Sequence, residues 1–460
     1  MKVSFFKDYL GIMESEVNLK NFSEVSTDTR TLKKNALFIA LKGPNFNGNE
    51  YIDAAFEKGA LFCVTDEKSL EDNKRNIYYV KNCKEFLKSF AKSWVEHLNP
   101  YVIGITGSNG KTTTKFFTAQ LLSKFFPLHY SPKSFNNDIG LPLTQLGLSE
   151  EHKVLICEIG TSGPGEIEDL TKQGPANLSM VTTVGPSHLD KLKNLEGVFN
   201  EKKQIYIHSK KESAIFNIDN SFTKKMYDQY APDFKNVLSL SAKDKNADVF
   251  VEVLSESLKG LQLKGHLGQT QFETQAPVFG SYNVYNIMFA LASGLLLKVN
   301  PNELIDSLED LKTPWGRSQI LKDKTKRTYI FDGYNSNLQS MTSLLESLKN
   351  EPRGNLHLIL GEMLELGEQA PKHHKELGRL AGDLKPKSIT FLGAFGGDFS
   401  EGLKESGFNN SSIISDTYNK KLALKVQSVL DEKDTVVLKA SRGTKIEQFL
   451  IDLGVEVDPL

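Results

Sequence analysis

Residues 104–115, GITGSNGKTTTK, constrain this chain more than any other segment. An apolar run, Tyr101-Val102-Ile103, leads into glycines at 104, 107 and 110. Lys111, Thr112, Thr113 and Thr114 then open the helical-looking FFTAQLLSKFF. Strand, glycine loop, Lys-Thr and helix are the parts of a phosphate cradle. Backbone N–H groups and the helix N-terminus face the anion, Lys111 reaches the outer phosphates, and the Thr112 hydroxyl can ligate Mg2+. The usual spacing puts a glycine five places before Gly110, where this chain has Ile105, so the loop is a variant, GxxGxxGKT. The residues alone also allow a glycine turn that binds nothing.

A chain of 460 residues exceeds one hydrophobic core and suggests about three domains. Asn99-Pro100 and Pro314-Trp315-Gly316 punctuate it, giving expected units 1–98, 99–312 and 313–460. The first mixes short strands (ALFIAL, LFCVTD, IYYVK) with helices (YIDAAFEKGA, KEFLKSFAKSWVEHL). In the second, KVLICEIG, NLSMVTTVGP and ESAIFNID each precede a helical segment, which implies parallel strands with helical crossovers. Residues 247–280 alternate between apolar and polar and read as antiparallel hairpins, before the long helix SYNVYNIMFALASGLLLK. The third resumes the alternation with TYIFDGY, LHLILGE, SITFLG and TVVLKAS. The expected fold is α/β in three domains: a small N-terminal α/β domain, a central P-loop parallel sheet and a C-terminal Rossmann-like sheet.

Lys plus Arg number 56 against 57 acids, a net charge of −1, so nothing favours nucleic acid as a partner. Cys63, Cys83 and Cys157 are scattered without metal-ligand spacing and read as buried, reduced thiols of a cytosolic protein. The N-terminus has no apolar signal core, and IMFALASGLLL falls short of the ~20 residues that a membrane span needs. A cytoplasmic monomer with no membrane insertion is expected.

Ligands of such sheets sit at the carboxyl ends of the strands. KVLICEIG ends at Glu158, an oxygen donor suited to Mg2+ beside the glycine loop. The next strand runs into His188, which is open between a packing histidine and a second metal ligand. Lys202 and Lys203 follow on a helix, and residue chemistry alone makes them two solvated lysines. In the third domain FDGYNSN places Asp332, Tyr334, Asn335 and Asn337 at a strand end. GEMLELG adds Glu362 and Glu365, and KASRGTKIE adds Lys439, Ser441 and Arg442. So many polar strand ends exceed what helix capping requires, and suggest a face that meets the glycine loop. Near the N-terminus, Asp28-Thr29-Arg30 is either a turn or a grip for phosphate or carboxylate.

Taken in order, GITGSNGKTTTK, FNNDIGLPLT, EIGTSGPGEI, GPSHL, GYNSN, GEMLELG and KASR resemble the Mur ligase family over essentially the whole chain. These are ATP-dependent, amide-forming enzymes of peptidoglycan precursor synthesis. Within the family NNDIGLPLT, GPGEI and GYNSN are most similar to members that add D-Ala-D-Ala to UDP-MurNAc-tripeptide. The resemblance implies that Gly107, Ser108, Asn109, Gly110, Lys111, Thr112 and Thr113 bind the phosphates of ATP. It further implies that Thr112, Glu158 and His188 hold Mg2+, and that Lys202 is carbamylated and joins them, with the neighbouring Lys203 leaving a one-residue ambiguity. Asn283 and Asn286 would approach the adenine, Asp332 and Tyr334 the ribose and base, and Arg317 a phosphate. Thr29 and Arg30 would hold the UDP end, with Asn136, Asn137, Thr161 and Ser162 along the sugar-peptide. Other ligases of this architecture, such as a folylpolyglutamate synthase, and a non-ligase nucleotide switch are the alternatives.

Overall fold

The computed structural model describes residues 1–12, 19–131, 134–349 and 354–457. Three sheets organise it, of four, nine and six strands, with a two-stranded ribbon besides.

The N-terminal sheet is all parallel and centres on Leu37–Ile39 and Phe62–Thr65, whose residues are buried throughout. Helix Cys83–Leu98 lies beside it. Asn82 accepts from the N–H groups of Lys84 and Glu85 to start this helix, and Phe86, Leu87, Phe90, Ala91, Trp94 and Val95 form its buried face. Asn99, in the left-handed region at φ 47°, ends it. Trp94 Nε1–H donates to Leu148 O at 3.1 Å, and a continuous apolar cluster joins this unit to one face of the central sheet.

In the central sheet, strand Tyr101–Thr106 lies between Val154–Glu158 and Leu178–Val181, all parallel. Its side chains alternate between faces: Val102 faces the cluster shared with the N-terminal unit. Ile103 and Ile105 face the helices Lys111–Leu122 and Asn283–Leu296. The segment read as hairpins forms three antiparallel strands, Val249–Ser257, Gly260–Leu267 and Thr270–Ala276, at one edge. Strand Asn236–Ser241, which joins them to the parallel part, is short and interrupted by Ser239 and Ser241, so its apolar run is weaker than those of its neighbours.

The C-terminal sheet contains the four expected strands. It adds an antiparallel edge strand, Gln319–Lys322, and an outer strand, Ser411–Ser415. Each is short, carries only two apolar residues and is only partly buried, so it gives a weak strand signal. The three cysteines are buried and unpaired, and burial pushes each thiol up to about 12. No helix among the described residues is long and apolar enough to cross a membrane.

Candidate active site

The glycine loop sits where strand Tyr101–Thr106 hands over to helix Lys111–Leu122. Gly107 takes φ 152° and Gly110 φ 85°, conformations that side chains rarely adopt. Space forbids a side chain as well: a Cβ on Gly107 would stand 1.9 Å from Thr182 Oγ1, and one on Gly110 2.6 Å from Asn286 Oδ1. The Ser108 hydroxyl donates to Gly185 O at 2.8 Å, which ties the loop to the next strand end. Lys111 Nζ donates to Gly107 O at 2.7 Å, so the cation folds back over the cradle. Burial lowers its pKa, an effect that Glu158 opposes and Arg317 reinforces.

Glu158 is almost wholly buried. Its Oε1 accepts from Asn136 Nδ2 at 2.9 Å and Thr112 Oγ1 at 3.2 Å, and its Oε2 lies 3.2 Å from Lys115 Nζ. Burial alone would raise this carboxyl's pKa, but Lys115, Lys111 and Asn136 outweigh it and hold it below the ordinary value. Lys115, at 2% side-chain exposure, went unnoticed in the sequence. Its spacing of four from Lys111 was the available signal, since i and i+4 share a helix face.

His188 is not brought into contact with Glu158. Its Nδ1–H donates instead to Glu365 Oε2 of the C-terminal unit at 2.8 Å. No group of three His, Cys, Asp or Glu side chains poised for a metal forms among the described residues. The donor set nevertheless suits Mg2+: Thr112 and Glu158 offer hard oxygens at the loop, and a Mg2+–nucleotide site takes its other ligands from phosphates and water.

Lys202 and Lys203 part company. Lys203 Nζ donates to Asn200 Oδ1 at 2.7 Å and lies 5.2 Å from the Phe199 ring. Lys202 is 1% exposed, and burial, then the charge of Lys111, drives its pKa well below the ordinary lysine value. Beside it Glu201 accepts from Gly165 N at 2.7 Å and Ile167 N at 2.8 Å, holding the EIGTSGPGEI loop.

The C-terminal unit is closed onto the loop. Asn109 Nδ2 donates to Gln339 Oε1 at 2.9 Å, and Asn109 Oδ1 accepts from Asn337 Nδ2 at 2.8 Å. Tyr334 OH donates to Ser134 Oγ at 2.6 Å. Arg317 reaches the Thr112 hydroxyl at 3.5 Å and lies 4.6 Å from the Tyr334 ring centre. Between the units is a cavity of about 220 Å3 that Thr113, Asn283, Asn286, Arg317 and Asp332 help line. The two asparagines are partly committed: Asn286 Nδ2 donates to Asn283 Oδ1 at 2.8 Å and Asn286 Oδ1 accepts from Thr114 Oγ1 at 2.9 Å. Lys439 Nζ donates to Asp332 Oδ2 at 2.6 Å, both groups being buried. Burial lowers the Lys439 pKa against the pull of Asp332.

Thr29 and Arg30 lie far along the chain from this cavity, in the N-terminal unit. With Phe46, Gly48 and Tyr51 they help line a cavity of about 470 Å3. Arg30 is paired to Asp28 at 2.7 Å and highly exposed. Asn137 and Ser162 line a third cavity, of about 710 Å3, between the N-terminal and central units. Part of Asn137's polarity serves the backbone, since its Oδ1 accepts from Gly140 N at 2.8 Å, and the Ser162 backbone N–H donates to Glu166 Oε2 at 2.7 Å. Thr161 Oγ1 likewise donates to Gly163 O at 2.6 Å.

A glycine-loop α/β sheet, capped by a second α/β unit that lends it Arg317 and polar strand ends, defines a P-loop nucleotide-binding protein of multidomain ligase architecture. Family models agree in detail. The Mur ligase family catalytic domain matches residues 21–94, the Mur ligase middle domain 105–294 and the Mur ligase glutamate ligase domain 316–442. A UDP-N-acetylmuramoyl-tripeptide–D-alanyl-D-alanine ligase of Bacillus subtilis is 31% identical over 93% of this chain and 92% of its own length. The Escherichia coli enzyme of that description is 27% identical over 93% and 92%. Among solved structures, MurF from Acinetobacter baumannii superposes at TM-score 0.85, with 23% identity and 98% of each chain covered. MurF ligase from Thermotoga maritima in complex with ADP gives 0.78, with 25% identity and coverage of 94% and 97%. This chain belongs to the Mur ligase family.

Proposed function

We propose that this chain is the ligase that joins D-alanyl-D-alanine to UDP-MurNAc-tripeptide, converting ATP to ADP and phosphate, in cytoplasmic peptidoglycan precursor synthesis. The observation that carries this reading is the closed glycine loop with Lys111, Arg317 and Glu158 around it, in a chain similar to ligases of that description over nine-tenths of its length. We take residues 1–98 as the UDP-sugar unit, 99–312 as the ATP unit and 313–460 as the closing unit.

The tripeptide's terminal carboxylate oxygen attacks the γ-phosphorus of ATP. The bond to the β-phosphate oxygen breaks, and an acyl phosphate and ADP form. The dipeptide amine then attacks the acyl carbon and loses a proton, and the tetrahedral intermediate collapses to the amide and phosphate. Carboxylate and triphosphate repel each other, so catalysis is mainly charge neutralisation and positioning. Lys111 and Arg317 supply cations at the loop. The Asn109 contacts with Asn337 and Gln339 link the two units across the loop, and closure of this kind serves to keep water from the acyl phosphate. Mg2+, when bound by Thr112, Glu158 and His188, would neutralise phosphate charge further.

Lys202 suits carbamylation because burial favours its neutral amine. The amine nitrogen attacks CO2, one C=O electron pair moves to oxygen, and the nitrogen proton leaves. The product is an anionic oxygen donor that a lysine ammonium cannot be. Thr29 and Arg30 would grip the UDP end, and Asn136, Asn137, Thr161 and Ser162 the sugar-peptide. Asn283, Asn286, Asp332 and Tyr334 would take the nucleoside.

The test is phosphate release by the purified chain with ATP and UDP-MurNAc-tripeptide, with and without D-Ala-D-Ala. Release that depends on the dipeptide and yields pentapeptide product is expected. Turnover indifferent to the dipeptide, or equal turnover with a folate and glutamate, would rule the assignment out.

A further inference from the structure

Glu365 lies in the GEMLELG segment, to which the reaction as described gives no role. It comes from the C-terminal unit, yet its carboxylate meets the imidazole of His188, a residue of the central unit, at 2.8 Å. The bond uses Nδ1. That leaves His188 Nε2 with no hydrogen-bond partner among the described residues. An imidazole that donates Nδ1–H to a carboxylate while presenting Nε2 is the usual arrangement of a metal-ligating histidine. The carboxylate fixes tautomer and ring orientation and raises the basicity of the free nitrogen.

The backbone of both residues is held for this meeting. His188 has φ 51° and Glu365 φ 63°, left-handed conformations that cost a non-glycine residue free energy and persist only where surroundings enforce them. Those surroundings include Met363 N–H, which donates to His374 Nε2 at 2.9 Å, and Leu364 N–H, which donates to Ser441 Oγ at 3.1 Å. The GEMLELG loop is thus pinned from behind by its own unit while Glu365 projects across the domain boundary.

We propose that Glu365 is a positioning residue for His188, so that the C-terminal unit completes the metal site of the central unit only when the two are closed. This rests on the reading of His188 as a Mg2+ ligand. Linkage then makes metal binding favour closure and closure favour metal binding, each by the same factor.

The test measures Mn2+ affinity by electron paramagnetic resonance on the full chain held with a non-hydrolysable ATP analogue and UDP-MurNAc-tripeptide. Glu365→Ala should weaken Mn2+ binding ~10-fold or more, and Glu365→Gln should weaken it less, because the amide oxygen still accepts from Nδ1–H. In a His188→Gln background, Glu365→Ala should cause no further loss, which a merely structural role would not predict. Unchanged affinity in Glu365→Ala, with affinity lost in His188→Gln, overturns the role of Glu365 and leaves that of His188 standing. Unchanged affinity in His188→Gln overturns the His188 reading itself. Equal additional losses in both backgrounds mean that Glu365 acts by some other route, and also overturn the proposal.

Discussion

Replacing Lys115 with Met keeps most of the apolar stem and removes the charge that faces Glu158. The two groups are 3.2 Å apart at 2% and 1% side-chain exposure, so water cannot take over the role of the lost ammonium. Breaking one partner of a buried pair costs about 3–5 kcal/mol. Glu158 keeps its bonds from Asn136 and Thr112 and the nearby charge of Lys111, which places the expected loss at the lower end. For a unit of roughly 200 residues, with about 2–4 °C of Tm per kcal/mol, that is a fall of about 6–12 °C. The sign with pH follows from the Glu158 carboxyl. In the parent its pKa is lowered, so its contribution is fully present above the unfolded value and is lost as pH falls through the folded one. Without Lys115 the largest of the causes that lower it is gone and its pKa rises relative to the parent, so the variant's deficit is largest near pH 7 and shrinks as the pH approaches 4. Adding Glu158→Gln removes the stranded charge and should recover most of the Tm, whatever it does to activity. Calorimetry at pH 7 and pH 5 on the single and double variants decides this. A Lys115→Met protein that melts within 1 °C of the parent at pH 7, or a double variant no better than the single one, refutes the reasoning.

Lys202→Ala should lose nearly all turnover and regain part of it with short carboxylic acids, while Lys203→Ala should stay close to the parent. Steady-state phosphate release checks both, and an active, rescue-insensitive Lys202→Ala would exclude the carbamate. Gly107→Ala should abolish nucleotide binding, because its Cβ would stand 1.9 Å from Thr182 Oγ1. Titration with a fluorescent ADP analogue reads this directly, with normal affinity as the contrary result. In the C-terminal sheet, His357 bridges Ser388 Oγ at 2.7 Å and Asp434 Oδ2 at 2.9 Å, and burial lowers its pKa despite Asp434. The unfolded chain therefore binds the proton first, and stability should fall as pH drops below ~6.5. His357→Gln should flatten that slope in urea unfolding between pH 7 and 5, and an unchanged slope would show that His357 does not titrate between the two states.

Much of this architecture is local and so was visible in the sequence. The loop needs glycine at 107 and 110 because no side chain fits there, and the strands beside it are unbroken apolar runs because both their faces are covered. Helix Cys83–Leu98 announces itself by its cap and its spaced aromatics. The family motifs brought Glu158, His188, Lys202 and Arg317 into view as a group. Their partners stayed hidden, since partnership depends on approach across long stretches of chain. Lys115 pairs with Glu158 from 43 positions away, and Glu365 meets His188 from another domain. The same holds for Lys202 and Lys203, identical in type and adjacent in order. Only the packing around helix Leu195–Lys202 buries one amine and leaves the other to a cation–π contact and an asparagine. Residue chemistry determined which groups could neutralise a phosphate or hold a cation. Burial and proximity, which are properties of the folded whole, decided which of them carries charge and what each one faces.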